Sequence, residues 1–215
     1  MIRTPRPLHA GTCLHLTAHA LPGMLCFPDC DSRTRLLQLA LEYSRKSHCL
    51  IHAYALMDNH LHLLVTGQVD GAVARMMASL LGRHSRLQNL LEGRVGPRWH
   101  WRYSSTCVED KSHLLRCCCY IEANPWRAGI VEHPSQSTWT SYGANAMGRK
   151  EELVTPHPAI CTLAAPGQDW RGVYREVMET YISTGVRFKS PSRLPLSPDP
   201  LAGLHVFTLS SDKVG

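Results

Sequence analysis

The stretch LIHAYALMDNHLHLLVT, residues 50–66, decides the fold of this chain because it predicts a β-hairpin. Its apolar and aromatic runs predict two short strands, residues 50–57 and residues 60–66. Asp58 and Asn59 lie between them and both tolerate turn conformations, so they predict a tight turn. The second strand therefore returns antiparallel to the first.

Alternation along the second strand separates two histidines from an aliphatic row. Successive side chains of a strand point to opposite faces, so His60 and His62 share one face of the sheet. Leu61, Leu63 and Val65 share the other face, which is the natural seat of packed helices. Two histidines at this spacing can bind one divalent ion, but the spacing alone is more typical of half-exposed surface histidines.

Strand and helix patterns flank this hairpin on both sides. On the N-terminal side they are a strand over residues 12–19 and a helix from the N-cap candidates Asp31 and Ser32 to about Lys46. On the C-terminal side they are a helix from the cap candidate Asp70 to Leu91, a strand from Trp99 to Val108, and a helix from Glu109 and Asp110 to about Ala123. The order β-α-β-β-α-β followed by a helix predicts an α+β, ferredoxin-like antiparallel sheet. Both crossover helices then lie on one face, and the added helix lies on the opposite face.

The chain is predicted to divide into a domain of residues 1–148 and a C-terminal extension of residues 149–215. A length of 215 residues suits one domain with an extension. Within the extension, Asp169–Ile182 predicts a helix. The Ser- and Pro-rich segment of about the last 30 residues predicts a weakly structured, poorly ordered end.

The composition excludes several classes of protein. An apolar share of 44% is sufficient for a hydrophobic core, which excludes a wholly disordered chain. No run of about 20 apolar residues predicts a membrane-spanning helix, and the N-terminus lacks the apolar block of a secretory signal. We therefore expect a cytoplasmic protein in which the nine cysteines are thiols. The net charge of +6 permits a polyanionic partner.

The cysteine spacing does not predict a zinc site. Cys117, Cys118 and Cys119 are adjacent on a predicted helix and point about 100° apart, so the three thiols cannot converge on one tetrahedral ion. Cys26 and Cys30 lack a second ligand pair. We expect Cys118 and Cys119 to pack as small core residues.

The last helix of the predicted domain carries a second group of polar side chains. Tyr120 and Asn124 are four residues apart and are therefore neighbours on one helical face, with Arg116 one turn before Tyr120. This face could present a hydroxyl, an amide oxygen and a guanidinium to His60 and His62. Taken alone, the pattern is more typical of an ordinary interfacial tyrosine with a hydrogen-bonded hydroxyl.

Together, these motifs resemble those of the HUH single-tyrosine transposases. YALMDNHLHLLV (54–65) resembles their His-hydrophobe-His signature, and YIEANPWRAGIV (120–131) resembles their Tyr-x-x-x-Asn-Pro catalytic helix. Further similar stretches, in the same order, are residues 99–115, 141–148 and 155–158. The resemblance spans about residues 8–160 and is strongest to the subgroup of REP-associated tyrosine transposases. Asp58 departs from the proline common in the family and places a carboxylate near the histidines.

The resemblance implies a metal-dependent transposase that acts on single-stranded DNA near a hairpin, such as a REP element. It implies that His60, His62 and Asn124 bind Mg²⁺ or Mn²⁺, and that Tyr120 attacks phosphorus to give a 5′-phosphotyrosine. Arg116 would help to bind the phosphate. No nucleotide cofactor is expected, since the chain has no Walker-type motif. Such a protein would be a monomer or homodimer, associated with the nucleoid while it acts on DNA.

Two other functions remain open at this point. One is a domesticated protein that binds DNA hairpins without cleaving them. The other is a histidine-metal hydrolase that acts on small phosphoesters, in which Tyr120 would not be needed for turnover.

Basic residues from the second to the third predicted helix suggest where DNA could bind. Cations that follow phosphates and rings that stack on bases are typical of single-strand binding, and Trp99, Trp101 and Tyr103 lie among these cations. Solvated surface charge beside core aromatics explains each single residue equally well. The DNA-binding candidates are Arg83, Arg86, Arg98, Arg102 and Arg116.

Overall fold

The computed structural model describes residues 9–184, which form a four-stranded sheet and a set of helices. The elements in chain order are β1 (Cys13–His19), α1 (Cys30–Ser47), β2 (Cys49–Met57), β3 (His60–Gly67), α2 (Ala72–Leu91), β4 (Ser104–Cys107), α3 (Lys111–Glu122), α4 (Asn124–Arg127), a 3₁₀ turn (Pro134–Gln136), α5 (Tyr142–Asn145), α6 (Pro158–Cys161) and α7 (Trp170–Ser183).

The strands form one antiparallel sheet in the order β2-β3-β1-β4. β2 and β3 are the predicted hairpin, with Met57 opposite His60 and the turn at Asp58 and Asn59. α1 and α2 are the two crossover helices of a β-α-β-β-α-β unit. The predicted α+β, ferredoxin-like fold is therefore confirmed.

The sheet separates two hydrophobic layers. Leu61, Leu63 and Val65 lie in the layer that contains α1 and α2, as their alternation predicted. Leu64, whose side chain points to the opposite face of β3, lies in the layer that contains α3 and α7. Burial of each such side chain is worth about 2 kcal/mol, so a one-residue slip of β3 would be costly. This register holds the two histidines on the α3 side of the sheet.

Two of the predicted helix caps are wrong. The N-cap of α1 is Asp29, whose carboxylate accepts the backbone N–H of Ser32 at 2.6 Å. Ser32 is the third helical residue and completes a capping box, so Asp31 lies in the first turn, where its charge favours the helix dipole. α2 begins after Gly71, which has a left-handed backbone and provides no side-chain cap. Asp70 instead accepts the N–H of Ala10 at 2.8 Å.

The fourth strand is shorter than predicted. Trp99 forms only an isolated bridge with Ala20, and regular pairing begins at Ser104. The break falls at Trp101, which has a φ of 59° and is 74% exposed. A left-handed residue turns the chain out of the strand path, and this ends the ladder that the aromatic run had predicted.

The thiols are packed as the sequence predicted. All nine cysteines are free, and Cys117, Cys118 and Cys119 are each fully buried. α3 is buried on both sides because it lies between the sheet and the helices of the C-terminal segment. Burial raises the pKa of Cys117 to about 12, which keeps this thiol protonated.

A buried carboxyl joins α3 to the segments that follow it. Glu122 is fully buried and accepts hydrogen bonds from Ser141 Oγ at 2.6 Å, Asn145 Nδ2 at 2.7 Å and Tyr174 Oη at 2.7 Å. Burial raises the pKa of Glu122 to about 7, and the three hydrogen bonds oppose this rise. One side chain thus connects α3, α5 and α7.

Part of the predicted C-terminal extension packs into the second hydrophobic layer. The predicted helix is confirmed as α7, which begins after the N-cap Asp169 and buries Tyr174, Val177 and Tyr181. The domain boundary after residue 148 stays a prediction. The segment expected to be poorly ordered lies almost entirely outside the described residues. Among residues 9–184, none of the helices combines the length and apolar character needed to span a membrane.

Candidate active site

An open cleft of about 430 Å³ lies on the α3 side of the sheet. Its walls come from β1, β3 and β4 and from the junction of α3 with α4. The lining residues are His15, Thr17, His19, Met57, His60, His62, Ser104, Thr106, Tyr120, Asn124, Arg127 and Ala128. The cleft therefore brings together His60, His62, Tyr120 and Asn124.

The two histidines of β3 are oriented by hydrogen bonds to their Nδ1 atoms. The ring centres of His60 and His62 lie 5.0 Å apart with an interplanar angle of 89°. Nδ1 of His60 lies 2.7 Å from Oδ1 of Asn59, and Nδ1 of His62 lies 3.0 Å from Nε2 of His15 and 3.1 Å from Oγ1 of Thr17. In each ring, the atom left for a ligand is Nε2. This arrangement is typical of metal-binding histidines, whose other nitrogen is held by a neighbouring group.

Burial keeps both rings neutral. It lowers the pKa of His60 to about 4, with a further contribution from His19, and it lowers the pKa of His62 well below the ordinary value. A neutral imidazole has a free lone pair, which a cation can accept. The geometry and the electrostatics of the two histidines therefore both favour the binding of a cation.

Tyr120 points its ring edge-on at His62, with ring centres 5.5 Å apart. Asn124 follows one turn later, at the start of α4, and its Nδ2 donates to the backbone carbonyl of Tyr120 at 2.8 Å. Since Nδ2 is the donor, the amide oxygen Oδ1 is the atom available as a ligand. The break between α3 and α4 at Pro125 keeps Asn124 beside the tyrosine.

Sequence reasoning missed the cleft residues of β1 and one cleft residue of α4. His15, Thr17 and His19 alternate along β1, and the register sets Thr17 opposite His62 and His19 opposite His60. The alternation of TCLHLTAH indicated that these three side chains share one face of β1. It did not indicate that β1 pairs with β3, and that pairing is what brings them to the cleft. Arg127 was missed as well. Its position two helical turns after Tyr120 was the available signal.

Arg127 lies over the ring of Tyr120, with its guanidinium carbon 4.6 Å from the ring centre. Its Nε and Nη1 atoms are buried and have no hydrogen-bond partner among residues 9–184. Burial raises the pKa of Tyr120 above its ordinary value, while the charge of Arg127 opposes that rise. The cleft thus contains a tyrosine, a cation and the two neutral histidines of β3.

The predicted DNA-binding arginines lie outside this cleft. Arg83 and Arg86 are exposed on α2, on the other side of the sheet, and Arg102 is exposed just before β4. Arg116 is half-buried, and its guanidinium donates to Ser112 at 2.6 Å. Arg98 is only 3% exposed. Its guanidinium pairs with Glu92 and donates to Asn89, so the fold itself uses this cation.

A second group of possible ligands lies elsewhere on the sheet. One ligand atom each from Cys13, His52 and His157 lies within 4.8 Å of the others, close enough for one metal ion to contact all three. In the structure, however, Nδ1 of His52 donates to the carbonyl of Thr155 at 2.7 Å, and Nδ1 of His157 accepts the N–H of Ala159. The first of these bonds attaches the segment before α6 to β2, and the second caps α6. The group shares none of its members with the cleft.

Comparisons with known proteins agree with this geometry. The family model described as "Transposase IS200 like" matches residues 27–124, a range that contains His60, His62, Tyr120 and Asn124. No curated protein sequence gives a significant match. Among solved structures, "Structure of the REP associates tyrosine transposase bound to a REP hairpin" aligns with a TM-score of 0.55 and 18% identity. The alignment covers 74% of this chain and 96% of that chain, and at this identity it shows a shared fold. Residues 27–124 therefore match the IS200-like transposases, and the chain shares the fold of a REP-associated tyrosine transposase.

Proposed function

We propose that the protein is a metal-dependent single-strand DNA nicking and strand-transfer enzyme with Tyr120 as its nucleophile. One observation carries the proposal: His60, His62, Tyr120 and Asn124 come from two separate parts of the chain and line one open cleft. A packing role alone does not explain why Tyr120 lies edge-on to His62, in a cleft where the Nε2 atoms of both histidines are available to a ligand.

The residues of the cleft fit a divalent cation. His60 and His62 would provide Nε2 atoms, and Asn124 would provide its amide oxygen, a donor set that suits Mn²⁺ and is compatible with Mg²⁺. When bound, the cation would act as a Lewis acid on the scissile phosphate. His15 and Thr17 would hold His62 in the tautomer that keeps Nε2 unprotonated.

Tyr120 would form the covalent intermediate. Its hydroxyl oxygen attacks phosphorus as the phenol loses its proton, and the bond from phosphorus to the 3′ oxygen breaks. The electron pair of that bond leaves with the 3′ oxygen, which takes up a proton to give a free 3′-hydroxyl. The products are a 5′-phosphotyrosine and this 3′ end. Because the phosphodiester is conserved in the intermediate, a second 3′-hydroxyl can reverse the step and join the strands without a nucleotide cofactor.

The DNA partner that we propose is a single strand with a hairpin. The solved neighbour is described as bound to a REP hairpin, and its fold is shared with this chain. Just before Ser104 of the cleft wall, Trp101 is 74% exposed and Arg102 is also exposed, and both border a pocket against α2 on the other side of the sheet. An exposed ring next to a cation is suited to stacking on a base while binding its phosphate.

The test is the covalent adduct. Wild-type protein is incubated with hairpin-bearing single-stranded DNA and Mn²⁺ or Mg²⁺, and protein–DNA adducts are separated on a denaturing gel. We expect an adduct with wild type and with the control Tyr43→Phe, a partly exposed tyrosine on α1, but none with Tyr120→Phe. Chelation of the metal should abolish the adduct.

Two results would contradict the proposal. Tight binding of the hairpin without an adduct in either metal would favour the binding protein without cleavage activity. Hydrolysis of small phosphoesters that survives Tyr120→Phe, again without an adduct, would favour the histidine-metal hydrolase.

A further inference from the structure

We infer that Arg127 is a further catalytic residue, whose guanidinium binds a non-bridging oxygen of the scissile phosphate while Tyr120 attacks. The inference rests on the proposed function. It assigns a role to a residue that lies beyond the segment matched by the family model. It also replaces Arg116, the arginine that the sequence suggested for this role, because Arg116 does not line the cleft.

The position of Arg127 is the first argument. It ends the short helix α4, lines the cleft and lies 4.6 Å from the ring centre of Tyr120. A phosphate within reach of the tyrosine hydroxyl would therefore be close to this guanidinium.

The unused hydrogen-bond donors of Arg127 are the second argument. Nε and Nη1 are buried and have no hydrogen-bond partner among the described residues, although the guanidinium lies close enough to the hydroxyls of Tyr120 and Tyr181 to oppose the rise in the pKa of both. Leaving charged donors buried and unpaired is costly, and folds normally satisfy them. Arg98 shows the usual solution, since its guanidinium is paired with Glu92 and Asn89 within the fold. Two unpaired donors beside a nucleophile indicate that their acceptor is supplied by a bound anion.

The chemistry of the guanidinium fits a phosphate. Its planar set of N–H donors matches two oxygens at once, and it stays protonated throughout, so it transfers no proton. During attack, negative charge on the non-bridging oxygens is redistributed, and a fixed cation stabilises it without reorganisation.

The test separates chemistry from binding and from folding. The single-turnover rate of adduct formation is measured for wild type, Arg127→Gln and Arg127→Lys. Arg45→Gln is the matched control, because Arg45 is exposed on α1, away from the cleft, and pairs with Glu152. The affinity for the same oligonucleotide is measured separately in the Tyr120→Phe background, where no cleavage occurs. Thermal unfolding shows that each variant is folded.

We expect Arg127→Gln to form the adduct about 100-fold more slowly, the usual effect of removing one transition-state donor. The rate of Arg127→Lys should fall between those of wild type and Arg127→Gln, because lysine keeps the positive charge but lacks the planar set of guanidinium donors. In the Tyr120→Phe background, the affinity for DNA should change far less than the rate of adduct formation. In Arg127→Ala, guanidinium ions added at non-denaturing concentrations should partly restore the rate of adduct formation. A merely structural arginine would show no such rescue.

Three other outcomes would overturn the inference, and one of them would overturn the proposed function as well. An adduct rate for a folded Arg127→Gln within a few-fold of wild type overturns the inference and leaves the proposed function intact. If Arg127→Gln does not fold, Arg127→Lys decides, and a rate equal to that of wild type overturns the inference. If wild type forms no adduct, the proposed function and the inference both fail.

Discussion

Replacing Glu122 by Gln should change how the stability of the protein depends on pH. Glu122 is fully buried, and folding raises the pKa of its carboxyl from 4.5 to about 7. A carboxyl of this kind binds its proton more tightly in the folded state. Its contribution to stability is therefore fully present below about pH 4.5 and is lost as pH rises through about 7.

The magnitude follows from these two pKa values. Their difference corresponds to about 3 kcal/mol of unfolding free energy, of which about 2.5 kcal/mol is lost between pH 5 and pH 8. Glutamine has the same shape and no ionisation. Its oxygen can still accept from Ser141 and Asn145, and its amide can donate to Tyr174. The variant should therefore lack this part of the pH dependence.

The assay is urea unfolding of wild type and Glu122→Gln at pH 5, 6, 7 and 8. The difference in unfolding free energy between the two proteins cancels the contributions of all other titrating groups. We expect this difference to shift by about 2.5 kcal/mol in favour of wild type as pH falls from 8 to 5.

The control is Glu42→Gln, an exposed glutamate on α1 that pairs with Lys46. Its difference from wild type should vary by less than about 0.5 kcal/mol over the same range. A difference for Glu122→Gln that is constant with pH would refute the reasoning. A difference that favours wild type at high pH would show instead that the three hydrogen bonds outweigh burial.

Two further predictions concern the start of α1 and the orientation of His62. Asp29→Ala should lower the unfolding free energy by about 1 kcal/mol, while Asp31→Ala should cost less than about 0.5 kcal/mol; equal costs would contradict the assigned cap. His15→Gln should weaken Mn²⁺ binding about 10-fold in a calorimetric titration, because His62 loses one partner of its Nδ1 atom, and the control His133→Gln, outside the cleft, should not. Unchanged Mn²⁺ affinity in His15→Gln would mean that Thr17 alone orients His62.

The structural features that follow from short sequence periods were predicted correctly. The period of two along β3 correctly separated His60 and His62 from Leu61, Leu63 and Val65, because a pleated strand leaves no other arrangement. The same reasoning predicted the hairpin turn and the order of the elements. Spacing of four residues correctly made Tyr120 and Asn124 neighbours.

Features that depend on competition between similar residues were not predictable. Asp29, Asp31 and Ser32 are all good cap residues, and the path of the chain into α1 decides between them. Trp99–Val108 has strand character throughout. β1 continues beside it as far as His19, but the left-handed backbone of Trp101 turns the chain away, so regular pairing is limited to Ser104–Cys107.

The sequence by itself determined the ferredoxin-like fold, the face of the sheet that carries the histidines and the neighbouring positions of Tyr120 and Asn124. These follow from periodicity, which acts between residues close in the chain. The tertiary structure alone decided that His15 supports His62, that Arg127 lies over Tyr120 while Arg116 does not reach the cleft, and that Glu122 joins α3 to α7. The physical reason is that these contacts join segments distant in sequence, and their geometry depends on strand pairing and packing that no local pattern encodes.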